Sequence, residues 1–107
     1  MGSRFYLPQL FGDNVQTVVM EVLLQGLIEE GTSGRLKWFL SPEIAEKAQI
    51  SRSAAYQVIV NLLEQDFAVE KTIETHRQHP PKYVRLNSEH LAIRELLFFY
   101  KKVRGLL

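Results

Sequence analysis

Residues 41–63 constrain the fold of this chain more than any other stretch, because they contain two short helical patterns only a few residues apart. In the first pattern, Ser41 is a residue type that caps helices, and Pro42 suits the first helical turn, where its missing N–H costs nothing. Apolar residues then recur at helical spacing, namely Ile44, Ala45 and Ala48. We expect a short helix here that packs closely on another helix.

The second half of this stretch predicts a tight turn followed by another helix. Gln49 and Ile50 interrupt the helical pattern, and Ser51 can cap a new helix. The inner face of that helix would consist of Ala55, Val58, Ile59, Leu62 and Leu63. Two short helices joined in this way form a helix-turn-helix, in which the second helix suits the major groove of DNA.

The composition is that of an ordinary globular protein. The 107 residues are enough for one domain with a real core, at 46% hydrophobic and 23% charged residues. The absence of cysteine excludes disulfide bonds, thiolate metal sites and cysteine nucleophiles. No apolar run approaches the roughly 18 residues that span a bilayer, and the N-terminus lacks the pattern of a signal peptide. We therefore expect a cytoplasmic protein with no membrane partner.

Positive charge is concentrated late in the chain, although the net charge is only +1. Residues 71–85 contain four lysines or arginines against one acid, whereas residues 1–70 have a formal charge of −4. Clustered cations of this kind suit contact with phosphate groups. The basic side of the protein is therefore expected in its C-terminal third.

The chain before the helix-turn-helix predicts an N-terminal arm and one long helix. Residues 4–12 are apolar, aromatic and interrupted by a proline, so we expect an extended or irregular arm that packs on the body or on a second subunit. Alternatively, its apolar side chains simply cover the core. Asp13 and Gln16 have the spacing of a capping box, and the apolar pattern after them predicts a helix over about 14–30 that ends at Gly31.

Three short segments predict strands. The aromatic segment 37–40 would pair with a later hairpin, and Trp38 would pack in the core or against that hairpin. Residues 67–75 and 82–86 have strand patterns, and a cluster with two prolines separates them. Two strands joined by a basic tip would form a wing.

The end of the chain predicts a helix over about 88–104, capped by Asn87 or Ser88. It has more apolar residues than one face of a small domain needs, including an uninterrupted run over 96–100. Because monomers seldom expose such a patch, we expect a homodimer interface. Its predicted residues are Ile93, Leu96, Leu97, Phe99, Tyr100 and Val103.

This order of elements resembles that of winged helix-turn-helix transcriptional regulators, most closely small archaeal and bacterial MarR- or ArsR-like repressors. Residues 50–56 (ISRSAAY) are similar to the "(I/V)-S-R-S-T-V-Y" opening of the family's recognition helix, and the resemblance covers about residues 10–104. It implies a mainly α fold with a small β-wing, an α+β class. The DNA-binding domain would span 13–86, between the N-terminal arm (1–12) and a C-terminal dimerisation helix (87–107).

The sequence departs from this family at three points. Gln49 stands at the turn position that is usually glycine, so it must adopt a left-handed conformation or a modified turn. After the recognition helix, Asp66 is the usual acid, but Phe67 stands in place of the glycine that usually follows it. The metal-binding cysteines of ArsR proteins are absent, which excludes metal sensing by that route. No pattern identifies a pocket for a small-molecule effector, and no cofactor is expected.

The solvent side of the predicted recognition helix has the chemistry of base and phosphate contacts. Arginine can bond guanine bidentately, glutamine and asparagine suit adenine, and hydroxyl groups suit phosphates. Only Arg52 is charged between Ser51 and Leu63, so no acid would repel DNA. The alternative is an ordinary amphipathic helix with a polar outer face. The predicted DNA-binding residues are Ser51, Arg52, Ser53, Tyr56, Gln57 and Asn61.

The predicted wing supplies a second set of contacts. Lys71, Arg77, His79 and Lys82 would reach the minor groove or flanking phosphates, unless they merely decorate a solvated hairpin tip. His76 and His79 have a spacing found in metal sites. A third ligand is lacking, so no metal is expected.

No catalytic pattern stands out, so an enzyme is not expected. The sequence predicts a homodimer that binds double-stranded DNA as a transcriptional regulator, and we expect a repressor rather than an activator. Its two recognition helices would lie in successive major grooves, about 34 Å apart. Two alternatives remain. One is a winged-helix protein-interaction module that docks through its terminal helix, and the other is a plasmid or viral replication or partition protein that binds DNA.

Overall fold

The long helix α2 (Val15–Ser33) packs against most other elements of the chain. The computed structural model describes residues 5–72 and 81–107. In these residues the chain forms five helices and one three-stranded antiparallel sheet, which confirms the predicted mainly helical α+β class. The other elements are α1 (Leu7–Phe11), β1 (Phe39–Leu40), α3 (Ser41–Ala48), α4 (Arg52–Glu64), β2 (Ala68–Thr72), β3 (Lys82–Leu86) and α5 (Leu91–Val103).

Burial stabilises α2 in spite of its β-branched residues, which have lower helix propensity. Its ends differ from the prediction. Asn14, rather than Asp13, is the N-cap, and its side-chain oxygen accepts a hydrogen bond of 3.0 Å from the N–H of Thr17. The helix continues through Gly31 to Ser33, because Gly34 is the residue that adopts the left-handed conformation, with φ of 74°.

The N-terminal segment is helical, so the prediction of an extended or irregular arm is wrong for residues 7–11. Pro8 lies in the first turn of α1, where a proline is tolerated, and does not interrupt the segment. Phe5 and Leu7 are buried in the core, whereas Leu10 and Phe11 are exposed. Only part of the segment therefore covers the core.

The sheet has the strand order β1-β3-β2. Phe39 pairs with Val84, and Ala68 pairs with Leu86, so four buried side chains line its inner face. The predicted strands at 37–40 and 82–86 are confirmed, with β1 limited to two residues. Strand β2 occupies the first part of the predicted segment 67–75, whose last residues lie outside the described part.

A glycine on α2 allows β1 to approach that helix. A Cβ atom at Gly26 would lie only 2.5 Å from Cε2 of the Phe39 ring. The ring therefore occupies the space that any larger side chain at position 26 would need. Glycine costs about 1 kcal/mol of helix propensity relative to alanine, and here the close contact offsets that cost.

Helix α5 begins later than predicted. His90 is the N-cap, and its Nδ1 accepts a hydrogen bond of 3.1 Å from the N–H of Ala92. The predicted caps, Asn87 and Ser88, lie before the helix. The side chain of Asn87 instead donates a hydrogen bond of 3.0 Å to the carbonyl of Asp66, which fastens the end of β3 to the turn after α4.

A buried carboxylate on α2 joins the two ends of the chain. The carboxylate of Glu21, which is fully buried, accepts hydrogen bonds from the backbone N–H groups of Tyr6, at 2.9 Å, and Leu7, at 2.7 Å. It also accepts a bond of 2.7 Å from the Tyr100 hydroxyl on α5. Three donors thus satisfy a group that would otherwise be strongly unfavourable in the core. Nothing in the local sequence around Glu21 predicted this role.

We expect Glu21→Gln to destabilise the fold by about 3 kcal/mol, because an amide cannot accept all three bonds and leaves buried donors unpaired. Denaturant unfolding would measure the loss, and hydrogen exchange at Tyr6 and Leu7 would show the release of α1. Tyr100→Phe removes only one of the three bonds to the carboxylate, together with a longer bond of 3.4 Å that the Gln25 amide donates to the phenol, and should cost about 1 kcal/mol. Equal losses in the two variants would contradict the shared role of this carboxylate.

The stability of the protein should fall above pH 10 in a way that depends on Tyr100. Burial, and then the hydrogen bond to Glu21, raise the pKa of the Tyr100 phenol well above its ordinary value. The folded protein therefore retains this proton at a pH at which the unfolded chain loses it. Stability should decrease with rising pH by about 1.4 kcal/mol per unit from this group alone. Denaturant unfolding from pH 9 to 11 should show a shallower decrease in Tyr100→Phe.

Candidate nucleic-acid interface

The turn between α3 and α4 depends on a left-handed residue. Gln49 adopts φ of 58° and ψ of 46°, which is the left-handed conformation rather than the modified turn that was the alternative expectation at this position. Its N–H donates to the carbonyl of Glu46 at 3.2 Å, and the N–H of Ile50 donates to the carbonyl of Ala45 at 3.1 Å. These bonds end α3 and turn the chain towards α4. At the other end of α3, the predicted cap is wrong, because Ser41 is already helical and Leu40 is the N-cap.

Ser51 starts α4 as predicted. Its Oγ accepts a hydrogen bond of 3.1 Å from the N–H of Ala54, which satisfies one of the free donors of the first turn. The inner face of α4 packs in the core through Ala55, Val58, Ile59 and Leu62, and Leu63 is half-buried. This packing fixes which face of α4 points outwards.

The six residues predicted to bind DNA all lie on the exposed side of α4 or at its N-cap. Arg52 and Tyr56 are four residues apart, and Ser53, Gln57 and Asn61 continue along the same side. From Arg52 to Asn61 the helix rises by about 14 Å. Within the described part of the chain, the side chains of Arg52, Tyr56, Gln57 and Asn61 form no hydrogen bond or ion pair, so their polar groups are available to an external partner.

This surface contains no carboxylate on α4 before Glu64. In the chain before α4, the nearest acids are on α3, where Glu46 is exposed and Glu43 forms a salt bridge of 3.5 Å with Lys37. The positive end of the α4 helix dipole also lies at Ser51 and Arg52. A polyanion could therefore approach the N-terminal half of α4 without meeting a negative charge on that helix.

The hairpin of β2 and β3 presents two of the four predicted wing residues. Lys71 and Lys82 are both exposed. Lys71 pairs with Tyr83, and Lys82 pairs with Thr72, so the two lysines lie on opposite faces of the ribbon. Arg77 and His79 lie outside the described residues, as does His76. The structure therefore does not bring Lys71 and Lys82 together on one surface.

Arg85 belongs to the basic segment of the sequence but is not a free cation. Its guanidinium forms a two-point ion pair with Glu30 of α2, in which Nε donates to Oε2 at 2.9 Å and Nη2 donates to Oε1. The backbone N–H of Lys37 donates to the same carboxylate at 2.9 Å. One of the four positive charges counted over 71–85 is therefore neutralised inside the protein.

Trp38 packs against the hairpin, as one of the two sequence interpretations proposed. The Nζ atom of Lys71 lies 4.5 Å from the centroid of the indole ring, and Cζ of Arg85 lies 5.6 Å from it. Both are distances at which a cation is attracted to an aromatic face. Trp38 thus holds the ammonium group of Lys71 against its own ring, a contact that sequence spacing did not indicate.

The predicted dimer residues on α5 do not form one surface. Ile93 and Tyr100 are 2% and 0% exposed, so they belong to the core of the protomer. The prediction that they lie in a dimer interface is therefore wrong. Leu96, Leu97 and Val103 are half-buried, and Phe99 is exposed. The uninterrupted apolar run at 96–100 is thus divided between the two sides of the helix. Phe98, which was not assigned to the interface, is also exposed.

Neither protein-family models nor curated proteins match this chain. The surface is therefore interpreted from its own residues. Among the described residues, no helix is both long and apolar enough to cross a membrane. In the same residues, no group of three or more histidines and acids is placed to hold a metal ion.

Proposed function

We propose that this chain binds double-stranded DNA as a homodimeric transcriptional regulator of the winged helix-turn-helix type. Helix α4 would enter the major groove, and the β2–β3 hairpin would contact the minor groove or flanking phosphates. Helix α5 would contribute to the dimer interface. Repression follows if the bound dimer excludes other proteins from its site.

The observation that best supports this proposal is the outer side of α4. It combines an arginine, two amides and three hydroxyl groups, and it contains no acid before Glu64. Within the described residues, the side chains of Arg52, Tyr56, Gln57 and Asn61 form no hydrogen bond or ion pair, whereas the hydroxyl groups of Ser51 and Ser53 lie 3.4 Å apart and Ser51 also caps the helix. Such groups would be needed to read base edges and to bond phosphates. An amphipathic helix that only faces solvent would not need to exclude carboxylates, which are common on exposed helices.

The hairpin would position the protein and would not read sequence. Lys71 and Lys82, on opposite faces of the ribbon, suit phosphates on the two sides of a groove that the hairpin enters. Contacts of this kind add affinity for any duplex. A dimer would place four such lysines on the DNA. They would make the slope of the logarithm of the binding constant against the logarithm of the salt concentration steeper by about 3.6, in the negative direction.

Few cations are available on this surface, so specific binding must depend on two-fold symmetry. Arg52 is the only positively charged residue on the outer side of α4. One protomer would therefore bind a half-site weakly. Two half-sites bound at once would raise the affinity of the dimer without additional charge.

Replacing Arg52 and Gln57 by alanine should remove sequence preference, because these side chains would bond base edges. Duplexes selected from a random library by the unmodified protein provide the test sites. We expect the double variant to lose at least about tenfold in affinity for selected sites and little for random DNA. The matched control is Arg94→Ala with Gln16→Ala, two exposed residues on other helices. If no duplex is enriched in the selection, DNA binding itself is wrong, and the protein-interaction alternative gains support.

Replacing Lys71 and Lys82 by alanine should weaken binding to all duplexes alike. Each lysine that contacts a phosphate should reduce the salt slope by about one per protomer. Titrations of selected and random DNA at several salt concentrations measure this effect. Arg94→Ala removes an exposed cation from α5 and serves as the control. An unchanged slope would place the hairpin away from DNA.

A further inference from the structure

Helix α5 has an outward strip that no part of the described chain covers. We define the α5 strip as Glu95, Phe98, Phe99 and Lys102, which lie on the side opposite the buried Ile93 and Tyr100. Phe98 and Phe99 are 51% and 40% exposed. Two neighbouring exposed phenylalanines flanked by an acid and a base form an unusual surface for an isolated monomer.

The order of residues along this strip is self-complementary. When two copies of a helix pack antiparallel about a two-fold axis, residues equally far from the axis on either side face each other. An axis midway between Phe98 and Phe99 would bring those two residues together. The same axis would place Glu95 opposite Lys102 of the other copy, and Lys102 opposite its Glu95. Opposite charges would therefore meet twice in a single register.

We propose that a second copy of this chain packs antiparallel on the α5 strip, with Phe98 and Phe99 at the two-fold axis and two Glu95–Lys102 pairs beside it. The inference rests on the proposed homodimer and specifies its register. Electrostatic complementarity of this kind fixes the register of an interface more than it adds affinity.

The two charges of the strip do not satisfy each other within one protomer. Glu95 and Lys102 are seven residues apart, about 10.5 Å along a helix. Neither forms a salt bridge in the described part of the chain. The Nζ atom of Lys102 lies 4.6 Å from the centroid of the Phe98 ring, which keeps this ammonium group along the strip. It is therefore placed beside the residue that would lie at the axis.

Apolar surface continues beyond the strip. The ring centroids of Phe11 on α1 and Phe99 are 6.2 Å apart, so α1 widens the patch on one side. Leu91 at the start of α5 and Leu106 just after its end are exposed as well. They lie at similar distances from the proposed axis, so the partner's Leu106 would lie near Leu91. Because the two charges of the strip cancel, it suits a second copy better than an anionic lipid surface.

Charge exchange at Glu95 and Lys102 tests this register. Glu95→Lys and Lys102→Glu should each weaken dimerisation by roughly tenfold or more, because like charges would then meet twice. The double variant, E95K with K102E, should restore the dimer. An equimolar mixture of the two single variants should form a heterodimer, because both of its contacts are again between opposite charges. Sedimentation equilibrium measures the affinities, and native mass spectrometry separates the species. The effects should shrink at high salt.

Matched controls exchange the same charges elsewhere. Glu46→Lys and Arg35→Glu alter exposed residues outside α5 and should leave dimerisation unchanged. All four positions are exposed, so circular dichroism should show folded variants. Suppose that the unmodified protein dimerises. If the single variants then dimerise equally well, or if the double variant and the mixture do not regain the original dimer affinity, the proposed register is wrong although the homodimer is supported. If the unmodified protein is monomeric, the homodimer also fails, whereas DNA binding is judged separately from Arg52 and Gln57.

Discussion

The arrangement of the helices depends on one buried carboxylate. Glu21 accepts hydrogen bonds from the N-terminal segment and from Tyr100, so it fastens both ends of the chain to α2. A buried carboxylate without such donors would destabilise the fold by several kcal/mol, so the donors must remain in place. Tyr100 is drawn inwards as a result. The rotation of α5 about its axis is then set, and Phe98 and Phe99 must face outwards.

A second long-range pair determines how much of the basic segment can act outside the protein. Glu30 on α2 binds the guanidinium of Arg85 in two places and also accepts the N–H of Lys37. This interaction ties the sheet to the end of α2, and it removes one cation from the surface of the hairpin. A formal charge count over 71–85 therefore overstates the attraction of the described hairpin residues for phosphate. The chemistry of α4 becomes correspondingly more important for binding.

Local signals predicted the elements well and their ends less well. The cap at Ser51 and the strand at 82–86 follow from residue types within a few positions. The left-handed Gln49 is one of the two conformations that the family resemblance implied for this turn. Adjacent residues such as Asp13 and Asn14 are both good caps, and only the backbone conformation selects between them. The Glu21–Tyr100 and Glu30–Arg85 pairs join residues 79 and 55 positions apart, and no periodicity marks such partners. The outer side of α4 was predictable because it follows from the apolar stripe, whereas α5 was misjudged because its apolar residues occur on both sides.

The two sides of α5 connect stability with self-association. The inner side is held by Tyr100, and the outer strip borders α1 through Phe11 and Phe99. Because Glu21 fastens α1 and α5 to the same helix, it fixes the relative positions of all parts of the proposed dimer surface. A partner that binds only this arrangement would stabilise the folded state in proportion to its concentration. Loss of the Glu21 bonds would then weaken the dimer even though Glu21 is too deeply buried to touch a second copy.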